Sequence, residues 1–197
     1  VIQLPLNNSV FTLLPEKVVY KEDEQLLIIA DVHLGKATHF RKEGIYMPTK
    51  AHADDYENLR HLFDKIQPRK VYFLGDLFHS KLNSEWAVFE TLIKEFDKIA
   101  FTLIKGNHDI MDEALFAGLN IVVVNEILEE GGFIYSHMPV TTPPDAINIV
   151  GHIHPGIFLS GKARQSVRLP CYHLCGNTLL LPAFGKLTGL YMIDCKK

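Results

Sequence analysis

Five short apolar runs punctuate the chain, and each breaks off in the same unusual way. "LLIIA" (26–30) leads into Asp31 and His33, and "VYFL" (71–74) leads into Gly75 and Asp76. "FTLI" (101–104) leads through Lys105 into Gly106, Asn107, His108 and Asp109. "FIYS" (133–136) leads into His137, and "INIV" (147–150) leads into Gly151, His152 and His154. Runs this short, rich in β-branched and aromatic residues, predict strands buried on both faces. Ordinary turns would follow them with Ser, Gly or Pro; here Asp, Asn and His follow instead.

Between the runs the hydrophobic period changes. Residues 50–66 place Tyr56, Leu59, Leu62, Phe63 and Ile66 on one stripe, the mark of an amphipathic helix. Residues 84–97 do the same with Trp86, Phe89, Ile93 and Phe96, and Ser84 stands where a cap is needed. Upstream, "EKVVYKEDEQLLIIAD" reads as a hairpin whose charged turn spans Lys21 to Glu24. Strand, helix, strand in alternation predicts a largely parallel sheet in the first half. After about residue 120 the helical period fades into short strands, which predicts a second, mostly antiparallel or mixed sheet packed on the first. No repeat, low-complexity stretch or linker interrupts the chain, so residues 1–197 read as a single domain.

Composition narrows the class. At 197 residues and 47% hydrophobic, the chain can bury one substantial core. No apolar stretch is long enough for a membrane span, and the first twenty residues lack the pattern of a signal peptide, so the cytoplasm is the expected compartment. A net charge of −3 excludes a protein that wraps nucleic acid through overall positive charge; any such contact must be local. Three cysteines are too few for a disulfide framework. Alternation would put Cys171, His173 and Cys175 on one face of a strand, but a fourth zinc ligand is not evident nearby.

The chemistry gathers at the strand ends. In α/β sheets, ligands collect outside the carboxyl ends of strands, so the five runs would deliver their polar residues to one place. Asp31, His33, Asp76, Asn107, His137, His152 and His154 offer carboxylate, amide oxygen and imidazole, with no thiolate. That set suits manganese, iron or zinc better than calcium or copper(I). It is too large for one ion with an open position, and about right for two ions sharing a carboxylate.

The ordered motifs "DVH", "GD", "GNHD", a lone His and "GHIH" resemble the calcineurin-like metallophosphoesterase superfamily. The resemblance implies an α/β fold, a four-layer α/β/β/α sandwich with two central mixed sheets and a dinuclear site at its centre. Carried onto this chain, it implies that Asp31, His33 and His154 hold one metal and Asn107, His137 and His152 the other, with Asp76 bridging. His108 would face the substrate as general acid, Asp109 would orient its imidazole, and Gly106 would permit the tight turn. The longer stretches "ADVHLGKATHFRKEGI", "GDLFHSKLNSEW", "GHIHPGI" and "RLPCYHL…LPAFGKLTG" are similar to the bacterial ligase-associated DNA-damage-response metallophosphoesterases. That similarity implies a small manganese-dependent phosphodiesterase or endonuclease acting on DNA alongside a ligase and repair system.

Other residues extend the site or leave it. Lys36, His39, Arg41 and Lys42 follow the first ligand pair and would form a positive rim for a phosphate backbone, and Lys162, Arg164 and Arg168 follow "GHIH" in the same way. His79 sits close to Asp76 in sequence and is expected beside the site. "GIFLSGKA" nearly spells a phosphate loop, but Ala163 stands where a Ser or Thr is needed and a strand follows. Two alternatives stay open at this level: an enzyme for small nucleotides or other metabolites, and a protein-binding scaffold of the same fold.

Overall fold

The computed structural model of the protein describes residues 1–36, 40, 44, 50–79, 85–161 and 165–194, apart from the side chains of 50–53. Seven strands lie in one sheet in strict chain order: β1 (Ile2–Leu6), β2 (Ser9–Leu13), β3 (Val19–Lys21), β4 (Leu26–Ala30), β5 (Lys70–Leu74), β6 (Ala100–Ile104) and β7 (Val122–Val124). The first three joins are antiparallel, and β4 to β7 run parallel. The 3-10 turn Glu22–Glu24 connects β3 to β4, where the sequence places its charged turn.

Helices α1 (Lys50–Ile66) and α2 (Glu85–Glu95) fill the crossovers into β5 and β6, as the alternating pattern requires. A shorter helix, α3 (Glu113–Ala117), precedes β7 and starts on Asp112, whose carboxylate accepts the Ala114 amide at 2.9 Å.

The second sheet joins β8 (Ile127–Glu130), β9 (Phe133–Ser136), β10 (Ile147–Val150), β13 (His173–Cys175) and β14 (Thr178–Leu180), in the order β13-β14-β10-β9-β8. It is mixed: β9, β10 and β14 run parallel, and each edge strand is antiparallel to its neighbour. A small third sheet sets β12 (Ser166–Pro170) and β15 (Tyr191–Met192) on either side of β11 (Pro155–Ser160).

Alternation along β4 explains the layers. Leu27 and Ile29 enter a core shared with Tyr56, Leu59, Leu62 and Phe63 of α1, Phe89, Leu92 and Ile93 of α2, and Phe116 of α3. Leu26, Ile28 and Ala30 point the other way, into a core shared with Phe133, Tyr135, Ile149 and Leu179 of the second sheet. The strand is buried throughout because both faces are covered, which is why its sequence is a continuous apolar run. All three described helices pack on the first sheet; among the described residues none lies on the second, so the α/β fold with mixed sheets is as expected but the second helical layer of the sandwich is not seen there. No helix among the described residues is long and apolar enough to cross a membrane.

Candidate metal centre

Register brings the strand ends to one level. Ala30 pairs with Leu74 and Leu74 with Ile104, so the residues that follow each of them leave the sheet side by side. In the second sheet, Val150 pairs with Ser136, which levels Gly151 with His137. Pairing then continues past the strands: the Asp31 amide donates to the Gly75 carbonyl at 3.3 Å and the His33 amide to the Asp76 carbonyl at 2.8 Å.

The two sheets meet at this edge through their polar side chains. His137 Nδ1 lies 3.1 Å from the Leu74 carbonyl and donates to it, which leaves Nε2 as the free lone pair. The His152 amide donates to Asp31 Oδ2 at 2.8 Å.

Two groups of ligand-type atoms result, Asp31 with His33 and His154, and Asp76 with His137 and His152, each within 4.8 Å internally. Asn107 joins the second group, its Oδ1 lying 3.0 Å from His137 Nε2, which in turn lies 2.9 Å from His152 Nδ1. Asp76 faces both groups: Oδ1 is 3.6 Å from His137 Nε2 and Oδ2 is 3.8 Å from His33 Nε2.

The donor atoms fit cations better than they fit one another. Asp31 Oδ1, both ring nitrogens of His33 and Nε2 of His154 are buried and have no hydrogen-bond partner among the described residues, although His154 Nε2 and Asp31 Oδ1 stand 3.3 Å apart. Protein interiors rarely leave such atoms orphaned. Burial pushes the His33 imidazole down to about 2, with Lys36 and the neighbouring histidines adding to the effect, and burial also lowers His152. Both are held neutral, the form that binds metal. Lys36 is half-buried; burial lowers its ammonium, while Asp76 and Asp31 pull the other way.

The backbone here is unusual. Asp31, His33, Asp76, His152 and His154 have φ of 53°, 52°, 48°, 64° and 52°, all left-handed. That region disfavours residues with a Cβ, and it clusters at functional sites.

A family model for calcineurin-like phosphoesterase matches residues 25–173. The chain belongs to that family. Among solved structures it is similar to the Pseudomonas putida nuclease MPE, with 28% identity over 100% of this chain and 92% of that one and a TM-score of 0.82. A looser likeness is to Yfce, a phosphoesterase from E. coli, at 15% identity over 81% of this chain and 79% of that one, TM-score 0.46. No curated protein matches. The protein is a metal-dependent phosphoesterase with the family's mixed-sheet α/β fold.

The structure of this phosphoesterase brings all seven expected ligands and His108 to one edge. His108 lies beside both groups, its ring centroid 5.7 Å from that of His33 and its amide donating to Asp76 Oδ1 at 2.9 Å. His79 stacks on His108 with centroids 5.1 Å apart and planes at 28°. His39, Arg41, Lys42 and Arg164 lie outside the described residues, as do Lys162 and Ser84. Arg168 is exposed on β12. Cys171 falls outside the strand that carries His173 and Cys175, so the expected alternation does not extend to it.

Two local expectations need correction. Asp109 does not orient the His108 imidazole: Oδ1 accepts the Leu77 and Phe78 amides at 3.0 and 3.3 Å, and Oδ2 accepts the Gly106 amide at 2.9 Å. With both oxygens committed to backbone, it ties the "GNHD" turn to the loop that carries Asp76. Burial pushes its carboxyl up to about 6 although those amides favour the charged form. Gly106 is required for space: a Cβ there would strike Asp76 Oδ1 and stand 2.5 Å from the Asp76 nitrogen. Gly151 plays the same part for Asp31, whose Oδ2 would lie 2.6 Å from an added Cβ. These glycines make the sockets into which candidate ligands from other motifs fit, a role that spacing alone does not reveal.

Proposed function

We propose that this protein is a dinuclear phosphodiesterase acting on nucleic acid, DNA first, and that residues 1–197 work as one metallophosphoesterase domain. The observation that carries the reading is Asp76, with one carboxylate oxygen toward each group of ligand atoms. In this reading Asp31, His33 and His154 would hold one ion and Asn107, His137 and His152 the other, with Asp76 shared between them. Two divalent ions, manganese before iron or zinc, would when bound lower the pKa of water and offset charge on the phosphoryl oxygens.

The chain's own groups do the rest. His108 protonates the leaving oxygen as general acid. His79, stacked on its face, fixes the plane of the imidazole. The hydrogen bond that the His108 backbone amide donates to Asp76 Oδ1 keeps the acid in register with that carboxylate. By their place in the sequence, close after ligand motifs, the basic residues His39, Arg41, Lys42 and Arg164 would contact a phosphate backbone. Likeness to a protein described as a nuclease supports a nucleic-acid substrate. Similarity to the ligase-associated family supports a role beside a DNA ligase in repair, in the cytoplasm.

The test is a substrate panel with manganese: bis-p-nitrophenyl phosphate, p-nitrophenyl phosphate, cyclic nucleotides, and labelled single- and double-stranded DNA. Diesters are expected to turn over faster than the monoester, and DNA is expected to be cut. A clear preference for monoesters or small nucleotides would move the assignment to a metabolite phosphatase or phosphodiesterase.

A further inference from the structure

One segment far from the metal motifs in sequence lies directly against them in space. The Phe184 amide donates to the Ala30 carbonyl at 2.8 Å and the Gly185 amide to the Asp31 carbonyl at 3.1 Å. A Cβ on Gly185 would strike the Val32 carbonyl oxygen and lie 3.3 Å from that of Asp31. The segment therefore abuts the backbone between two left-handed residues, Asp31 and His33.

The carbonyls of that segment turn toward a single cation. Lys17 Nζ donates to Ala183 O at 2.7 Å and to Phe184 O, and stands 3.5 Å from Gly185 O. It also lies 5.9 Å from the centre of the Phe184 ring. Three successive carbonyls aimed at one point repel one another unless a positive charge sits there. Among the described residues, Asp55, buried on α1, and Lys186 are the charged groups that act on the ammonium. Burial lowers Lys17 to about 8, with Asp55 opposing and Lys186 adding, so it is charged at neutral pH.

We propose that Lys17 is a positioning residue for the metal centre: its ammonium gathers the carbonyls of Ala183, Phe184 and Gly185, seating that segment against Asp31 and Val32 and holding the backbone that aims Asp31 and His33 inward. It touches neither ion nor substrate and acts only through residues 183–185. The inference rests on reading Asp31 and His33 as ligands.

Manganese titration followed by electron paramagnetic resonance tests it on the purified full chain. Lys17→Met removes the donors at similar length, and Lys17→Arg restores a cation. Lys65→Met, which loses only a surface pair with Glu16, is the control. Lys17→Met is expected to weaken manganese binding about 10–100-fold, the usual effect of losing a group that supports a ligand, with part recovered by Arg and none lost in the control. Melting in chelator is measured beside it; a lower melting point with unchanged manganese affinity would overturn the proposal. Asp31→Asn separates the two readings. If it keeps full manganese stoichiometry the ligand assignment fails, whereas its loss with Lys17→Met unaffected sinks only the role of Lys17. Should Lys17→Met not fold, hydrogen exchange on the wild type decides. Amides 184 and 185 must slow when manganese is added, because coupling between sites is reciprocal. Unchanged exchange there would defeat the idea.

Discussion

The carboxylate of Asp109 holds the backbone of Leu77 from across the site, accepting its amide at 3.0 Å while its second oxygen accepts that of Gly106 at 2.9 Å. One buried side chain thus joins the turn that carries Asn107 and His108 to the turn that carries Asp76. Loss of Asp109 leaves those amides without acceptors. Asp109→Ala is expected to lower stability by at least about 1–3 kcal/mol, the cost of a buried unsatisfied donor. It should slow hydrolysis of good and poor leaving groups alike. Denaturant unfolding and kinetics check this; unchanged stability with a leaving-group-dependent defect would return Asp109 to an orienting role on His108.

Asn107 and His108 are neighbours with different expected losses. Asn107→Ala removes an amide oxygen 3.0 Å from His137 Nε2 and should deplete one metal. His108→Ala should retain both metals and lose about 10²–10⁴-fold in turnover, the usual worth of a positioned acid–base group. That loss should shrink for nitrophenolate leaving groups, which need little protonation. Elemental analysis and kinetics on both variants decide it; a missing metal in His108→Ala would refute the assignment.

A methyl group should be enough to disable the centre. Gly106→Ala drives a Cβ into the Asp76 carboxylate and its backbone nitrogen, so Asp76 has to shift. Metal content should fall, and stability with it, by about 1–3 kcal/mol of overpacking. Gly131→Ala is the comparison, with left-handed φ of 61° but nothing within 4 Å of the added carbon. It should cost only about 1–2 kcal/mol of backbone energy and leave metals in place.

Chelation should destabilise the fold by mass action. With manganese at a hundred times its dissociation constant, bound metal adds about 2.7 kcal/mol per site, and the chelated protein loses it. Melting temperature followed against free manganese would reveal the dependence. A melting point indifferent to metal would mean that the clustered histidines and carboxylates are satisfied without one.

If nucleic acid is the substrate, Arg41→Ala with Lys42→Ala should weaken its binding and flatten the salt dependence, since each phosphate contact releases counterions. Binding isotherms across a salt series measure the slope. An unchanged slope would make that stretch a solvated surface.

Much of this was legible because the candidate metal ligands sit at the ends of continuous strands. Strand β4 needs both faces apolar, so "LLIIA" is an unambiguous signal, and Asp31 after it is out of place in any other role. Stripe positions likewise placed α1 at residues 50–66. The first hairpin was less visible because Ile2, Gln3 and Pro5 are exposed along an edge strand, where burial imposes little pattern. The Asn7–Asn8 pair between Leu6 and Ser9 was the available clue, since Asn7 takes the left-handed φ such turns demand. Helix α3 has five residues, too few to display a period. Lys17 and Gly185 were beyond reach: their contact spans 168 positions, and nothing local in either segment announces it.

The left-handed backbone at Asp31, His33, Asp76, His152 and His154 bears on how this protein can be engineered. At each of these places glycine would relieve about 1–2 kcal/mol of conformational cost, less what the freer unfolded chain takes back. The chain carries side chains where the scaffold alone would favour none. Where no metal is bound, glycine at His33 or His154 would therefore relieve strain at the expense of the proposed centre, whereas glycine at Asp31 or Asp76 would also orphan the amides of His152 and His108.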